Sequence, residues 1–113
     1  MAARHGELVT AAVRYCTALG HYVFPVPNRG VKIKNKRTGE SRWIRGKVRP
    51  GVADVCGLTA YGRFLAIEVK VSPDRLSPEQ ARFKVEVERR GGLFVEVRDN
   101  VQALIDLHKG GMI

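Results

Sequence analysis

The sequence predicts an α/β domain, on three observations. Leu8, Ala12, Tyr15 and Leu19 recur at helical spacing near the start of the chain. Short β-prone runs follow at 52–58 and 63–71, each bounded by turn residues. A strong helix start, Ser77-Pro78-Glu79-Gln80, then precedes another short apolar run, Leu93 to Val97. Helices and strands thus alternate along 113 residues, enough for one domain with one core and not for two. Residues 1–113 read as that single domain.

Each element has its own signal. Residues 5–19 form a helix that Gly20 stops. Glu7 falls near its start, where a carboxylate is favourable in any helix. His21 to Val26 reads as a strand, with Pro25 and Pro27 confining its far end to an edge or a break. Asn28-Arg29-Gly30 is a turn signal. Val31-Lys32-Ile33-Lys34 then alternates, Lys36-Arg37-Thr38-Gly39 turns, and Ser41 to Arg45 returns. That makes 29–49 a basic hairpin or arm; a basic loop is the other reading. Trp43 lies amid this charge, either capping a core or packed under arginines, the favoured reading, or stacking on an exposed base.

Residues 52–58 and 63–71 flank a Tyr61-Gly62 turn. An antiparallel hairpin would set Asp54 opposite the Glu68 end of the second strand. Residues 77–90 give conflicting signals. Ser77 is an N-cap and Gln80 closes a capping box, yet Ala81, Phe83, Val85 and Val87 alternate as in a strand. The capping signal, and Arg89-Arg90-Gly91-Gly92 as a helix end, favour a helix. Its apolar residues would then occupy two faces, one for the sheet and one needing another cover such as a second subunit. Asp99-Asn100-Val101-Gln102 opens a last helix whose face is Val101, Leu104, Ile105 and a partly buried His108, ended by Gly110-Gly111.

Composition narrows the partners. There are 20 Lys and Arg against 11 acids, for a net charge of +9. Such a balance predicts a polyanion, most simply nucleic acid. Residues 29–49 hold nine basic side chains against one acid, Glu40, and so carry +8 of that +9. No apolar run is long enough to span a bilayer, and the first residues lack the apolar stretch of a signal peptide, so an intracellular protein is expected. Cys16 and Cys56 have no C-x-x-C partner and His5, His21 and His108 are scattered, which disfavours structural zinc or an iron–sulfur cluster. Both cysteines sit in apolar segments and read as buried thiols.

Against this basic background, Asp54, Glu68 and Lys70 stand out. Two carboxylates are enough to hold a hard cation such as Mg²⁺ beside a phosphate, because that ion keeps several waters. The cation would polarise the phosphate and acidify water. Lys70, two residues beyond Glu68, shares its strand face and can offset charge on a pentavalent transition state. E-x-K triplets also occur on exposed strands simply as solubilising charge. Here Glu68 and Lys70 interrupt an apolar strand, and buried charge is rare unless paired or metal-bound.

The order of elements resembles the core of the PD-(D/E)xK nuclease superfamily. More closely, four segments together resemble the VRR-NUC domain, the virus-type replication–repair nuclease. They are Gly51-Val52-Ala53-Asp54, Gly62 to Lys70, Arg75-Leu76-Ser77-Pro78-Glu79-Gln80 and Gly91-Gly92. The similarity runs from about Glu7 to Leu104. It implies a restriction-endonuclease-like fold, α-β-β-β-α-β, with a mixed central sheet flanked by helices and the basic hairpin as an insertion. Ala53 stands where the superfamily's name has proline; that proline is not a ligand.

The resemblance also implies roles. Asp54, Glu68 and the Val69 carbonyl would bind Mg²⁺ or Mn²⁺, with Glu7 as the first-helix acid that completes the site. Lys70 would position or activate water. Gln80 would face the active site, a use that competes with the capping box for one side chain. Stand-alone viral members look like homodimeric endonucleases that cut branched DNA, including four-way Holliday junctions, leaving a 5′-phosphate and a 3′-hydroxyl. A viral source would place the protein in the cytoplasm of a bacterial host. Lys32, Lys34, Lys36, Arg37, Arg42, Arg45, Lys47 and Arg49 would hold duplex backbone without reading sequence. A general or nicking duplex endonuclease, or a non-catalytic basic nucleic-acid-binding module, are the alternatives.

Overall fold

A computed structural model describes residues 4–27, 31–44 and 49–113. The elements are α1 (His5–Ala18), β1 (Tyr22–Pro25), β2 (Val31–Lys34), β3 (Ser41–Ile44), β4 (Val55–Leu58), β5 (Phe64–Lys70), α2 (Pro78–Arg89), β6 (Leu93–Arg98) and α3 (Gln102–Lys109). Strands β1, β4, β5 and β6 form one sheet in that order, and β2 and β3 form a separate antiparallel hairpin. The fold is therefore α/β, as the sequence predicts, with the mixed sheet that the resemblance implies. β1–β4 and β4–β5 pair antiparallel, whereas β5–β6 pair parallel, since α2 carries the chain back over the sheet between them.

Side-chain alternation along β5 divides the core. Leu65, Ile67 and Val69 pack with Leu8, Ala12 and Cys16 of α1, Val95 and Val97 of β6, and Leu104 of α3. Each large aliphatic side chain so buried contributes roughly 1.5–3 kcal/mol. Ala66 points the other way, to Ala53, Cys56 and Val87, with Phe83 and Phe94 packed alongside. Glu68 and Lys70 share the Ala66 side by the same period of two, which is the side α2 covers. β5 is central and covered on both faces, so Leu65 to Val69 are all buried, Glu68 included.

Two glycines set this geometry. Gly57 lies where β4 meets β1, and a Cβ there would run into the Tyr22 carbonyl. Gly51 has φ +86°, and a Cβ there would meet the backbone of Glu79. The loop before Asp54 can thus lie against the first turn of α2 only with glycine at this position.

The structure bears out one reading and revises two. The conflicting pattern of 77–90 resolves as a helix with Val87 buried and Phe83 half-buried on the sheet, while Ala81 and Val85 are exposed. His108 is exposed, because α3 packs through Leu104 and the partly buried Val101, Ala103 and Leu107. Asp99 does not open α3: its carboxylate turns back to accept the Ser72 N–H at 2.8 Å, and the helix begins at Gln102. Both cysteines are buried thiols, and burial pushes each up to about 11.

Candidate active site

The register of the central hairpin assembles the site. Val55 pairs with Ile67, so Asp54, one residue before β4, sits beside Glu68. Asp54 Oδ2 accepts the Val69 N–H at 2.9 Å. The same oxygen lies 3.3 Å from His5 Nε2, at the first position of α1.

Glu68 is 2% exposed. Its Oε1 accepts from Gln80 Nε2 at 3.1 Å and lies 3.7 Å from Lys70 Nζ. Its Oε2 is buried without a hydrogen-bond partner among the described residues. Burial, reinforced by the neighbouring Asp54 carboxylate, raises Glu68 from the ordinary carboxylate range to about 8; the Lys70 charge opposes this. Two carboxylates side by side, one of them buried, make ionisation of Glu68 costly, and a further positive charge beside it would ease that cost.

Gln80 serves both the helix cap and the site. Its Oε1 accepts the Ser77 N–H at 2.8 Å, and Ser77 Oγ accepts the Gln80 N–H at 3.1 Å, closing the capping box. The expected competition between the two uses does not arise, because an amide has an acceptor end and a donor end. The oxygen caps α2 while the nitrogen holds Glu68.

Glu7 is placed elsewhere. It is exposed, and its carboxylate accepts the Arg4 N–H at 3.4 Å. His5 and Glu7 are two residues apart, about 200° around the helix, so one turn does not aim both at Asp54. His5 precedes buried Leu8 by three residues, and so shares the face that Leu8, Ala12 and Cys16 turn to the core. That spacing is visible in the sequence, but it does not say which distant residue the side chain meets.

The basic hairpin exists as β2 and β3, with Lys34, Lys36, Arg37 and Arg42 exposed. Arg45 and Lys47, and the side chains of Lys32 and Trp43, lie outside the described residues. Exposed Arg49 lines a groove of about 880 Å³ along α2, with Phe64, Arg82, Phe83, Val87 and Arg90. Neither Asp54 nor Glu68 lines that groove.

Among the described residues, no three acids, histidines or cysteines form a group that could hold a metal ion. A cation here would rest on two carboxylates, with main-chain oxygen and water completing its shell. The donor set still fits a hard divalent ion: it is all oxygen, and the unpartnered buried Glu68 Oε2 lacks the positive partner such an ion would supply.

The family model described as the VRR-NUC domain matches residues 10–100. The chain belongs to the VRR-NUC family. No curated protein matches it significantly. As a VRR-NUC domain it is a nuclease of the PD-(D/E)xK type, a class that acts on DNA and generally uses divalent metals. Asp54, Glu68, Lys70 and Gln80 all fall within the matched stretch of this VRR-NUC domain, whereas His5 and Glu7 precede it.

Proposed function

We propose that this VRR-NUC domain is a Mg²⁺- or Mn²⁺-dependent endonuclease selective for branched DNA such as four-way junctions. One observation carries the catalytic part: two neighbouring carboxylates, Asp54 and Glu68, with a buried Glu68 oxygen left unpartnered among the described residues. In this reading Asp54, Glu68 and the Val69 carbonyl hold the cation. When bound, it supplies Lewis acidity at the scissile phosphate and at water.

The chain's own groups do the rest. Lys70 Nζ, 3.7 Å from Glu68 Oε1, steadies that carboxylate and brings a positive charge to the phosphate. Gln80 fixes the Glu68 rotamer from the first turn of α2. The exposed Lys34, Lys36, Arg37 and Arg42 hold the DNA backbone, a contact that follows shape rather than base sequence. Glu7, bonded to the Arg4 N–H, takes no ligand role in this arrangement.

A homodimer suits a four-way substrate. Apolar surface is available for it: Tyr22, Leu58 and Phe64 lie in one cross-strand row and are exposed, as is Val85 on α2.

The test is cleavage of labelled four-way junction, flap and linear duplex with Mg²⁺, Mn²⁺ or EDTA, wild type beside Asp54→Ala. Metal-dependent junction cutting that the substitution abolishes is the expected result. Equal cutting of every substrate would replace this reading with a general endonuclease. Binding without cutting would leave only the basic module.

A further inference from the structure

Asp54 and Glu68 are held in the same manner. Each carboxylate has one oxygen occupied by the protein. On Glu68 it is Oε1, held by Gln80 Nε2 and Lys70 Nζ. On Asp54 it is Oδ2, held by Val69 N at 2.9 Å and approached by His5 Nε2 at 3.3 Å. On Glu68 this leaves Oε2, which has no hydrogen-bond partner among the described residues, and on Asp54 a cation would take the other oxygen, Oδ1.

We propose that His5 is a positioning residue for Asp54: it occupies Oδ2, fixes the carboxylate plane and leaves Oδ1 alone to bind the metal. The proposal rests on the nuclease reading of this site. Three features support it. His5 is the first residue of α1, and that helix is anchored in the core by Leu8, Ala12 and Cys16, so the ring is carried by a rigid element. The Asp54 side chain is 16% exposed against 38% for His5, so the contact joins a largely buried carboxylate to a ring at the edge of the site. The other first-turn candidate, Glu7, is exposed, with one carboxylate oxygen accepting the Arg4 N–H at 3.4 Å. In the tautomer that carries its proton on Nε2, His5 donates as Val69 N does. A carboxylate gripped at one oxygen is ready to bind a cation through the other, and partners of this kind typically change metal affinity about 10- to 100-fold.

The experiment is Mn²⁺ titration by calorimetry of wild type, Asp54→Ala, His5→Ala, His5→Gln and Glu7→Gln, with circular dichroism to check each fold. Glutamine places an amide N–H near the imidazole Nε2 position. The expected result is Mn²⁺ affinity about 10- to 100-fold weaker in His5→Ala and largely restored in His5→Gln, with a smaller effect of Glu7→Gln. Unchanged affinity in His5→Ala overturns the proposal. So does His5→Gln as weak as His5→Ala, which would make the imidazole itself the ligand. A loss in Glu7→Gln equal to or greater than that in His5→Ala also overturns it, returning the role to the acid. Wild type binding no better than Asp54→Ala would instead refute the metal site itself, and with it the metal-dependent reading on which the proposal rests.

Discussion

Gln80 Nε2 donates to Glu68 Oε1 over 3.1 Å, while the other end of the same amide caps α2. The helix start and the site are thus one construction, and substitutions at Gln80 can separate its two halves. Gln80→Ala should cost about 1 kcal/mol of stability through removal of the cap, together with most of the cleavage rate. Gln80→Glu keeps an acceptor for the Ser77 N–H but turns a carboxylate toward Glu68. It should melt near wild type in the first turn of α2 yet cleave poorly. Thermal melts beside single-turnover cleavage check both.

Asp54→Ala and Lys70→Ala should each reduce cleavage about 10³-fold or more while DNA affinity stays within a few-fold. Gel-shift titrations run beside cleavage time courses make the comparison. Normal turnover in either variant would sink the assignment of the site.

The pH dependence of metal-free stability has a definite sign. Glu68 is raised to about 8 in the folded protein, so the folded state holds that proton more tightly than the unfolded chain does. Its contribution is fully present below the ordinary carboxylate pKa and is lost as pH rises through about 8. In EDTA, urea midpoints should therefore fall as pH is raised from the ordinary carboxylate range to about 8 and level off above it, and Glu68→Gln should flatten the slope. Saturating Mn²⁺ should weaken it too, because the cation favours the ionised carboxylate.

Gly51→Ala should destabilise the fold by about 1–3 kcal/mol, since alanine is strained at φ +86° and its Cβ meets the Glu79 backbone. The drop in cleavage should exceed what unfolding explains, because the same loop carries Asp54. Activity measured well below the melting point distinguishes the two effects.

Neutralising Lys32, Lys34 and Lys36 together should weaken DNA binding and shallow its salt dependence. The slope of log affinity against log salt should fall by about 0.9 for each phosphate that the variant no longer neutralises. An unchanged slope would move the DNA path away from the hairpin, with the Arg49 groove along α2 as the next surface to test.

Much of the site is legible in the sequence because its signals are local. Asp54 and Glu68 interrupt apolar runs, Lys70 follows at the strand period, and Ser77-Pro78-x-Gln80 is a capping motif read within four residues. The conflicting pattern of 77–90 is harder. Alternation of Phe83, Val85 and Val87 suits a strand, and only packing shows that Phe83 and Val87 meet the sheet while Val85 stays exposed. His5 escapes a sequence reading for a related reason: nothing next to it in the chain marks it as a partner of Asp54, and the two lie 49 positions apart.

The sequence alone determined the α/β class, the order of the elements, the basic hairpin and the acids that could bind a cation, since periodicity, capping and charge all act over a few neighbouring residues. Tertiary structure decided how those acids are held. Pairing of Val55 with Ile67 brings Asp54 to the Val69 N–H, α2 lays Gln80 on Glu68, and α1 turns His5 rather than Glu7 toward Asp54. These contacts depend on strand register and helix rotation, which are set by burying one apolar face against another across the whole chain.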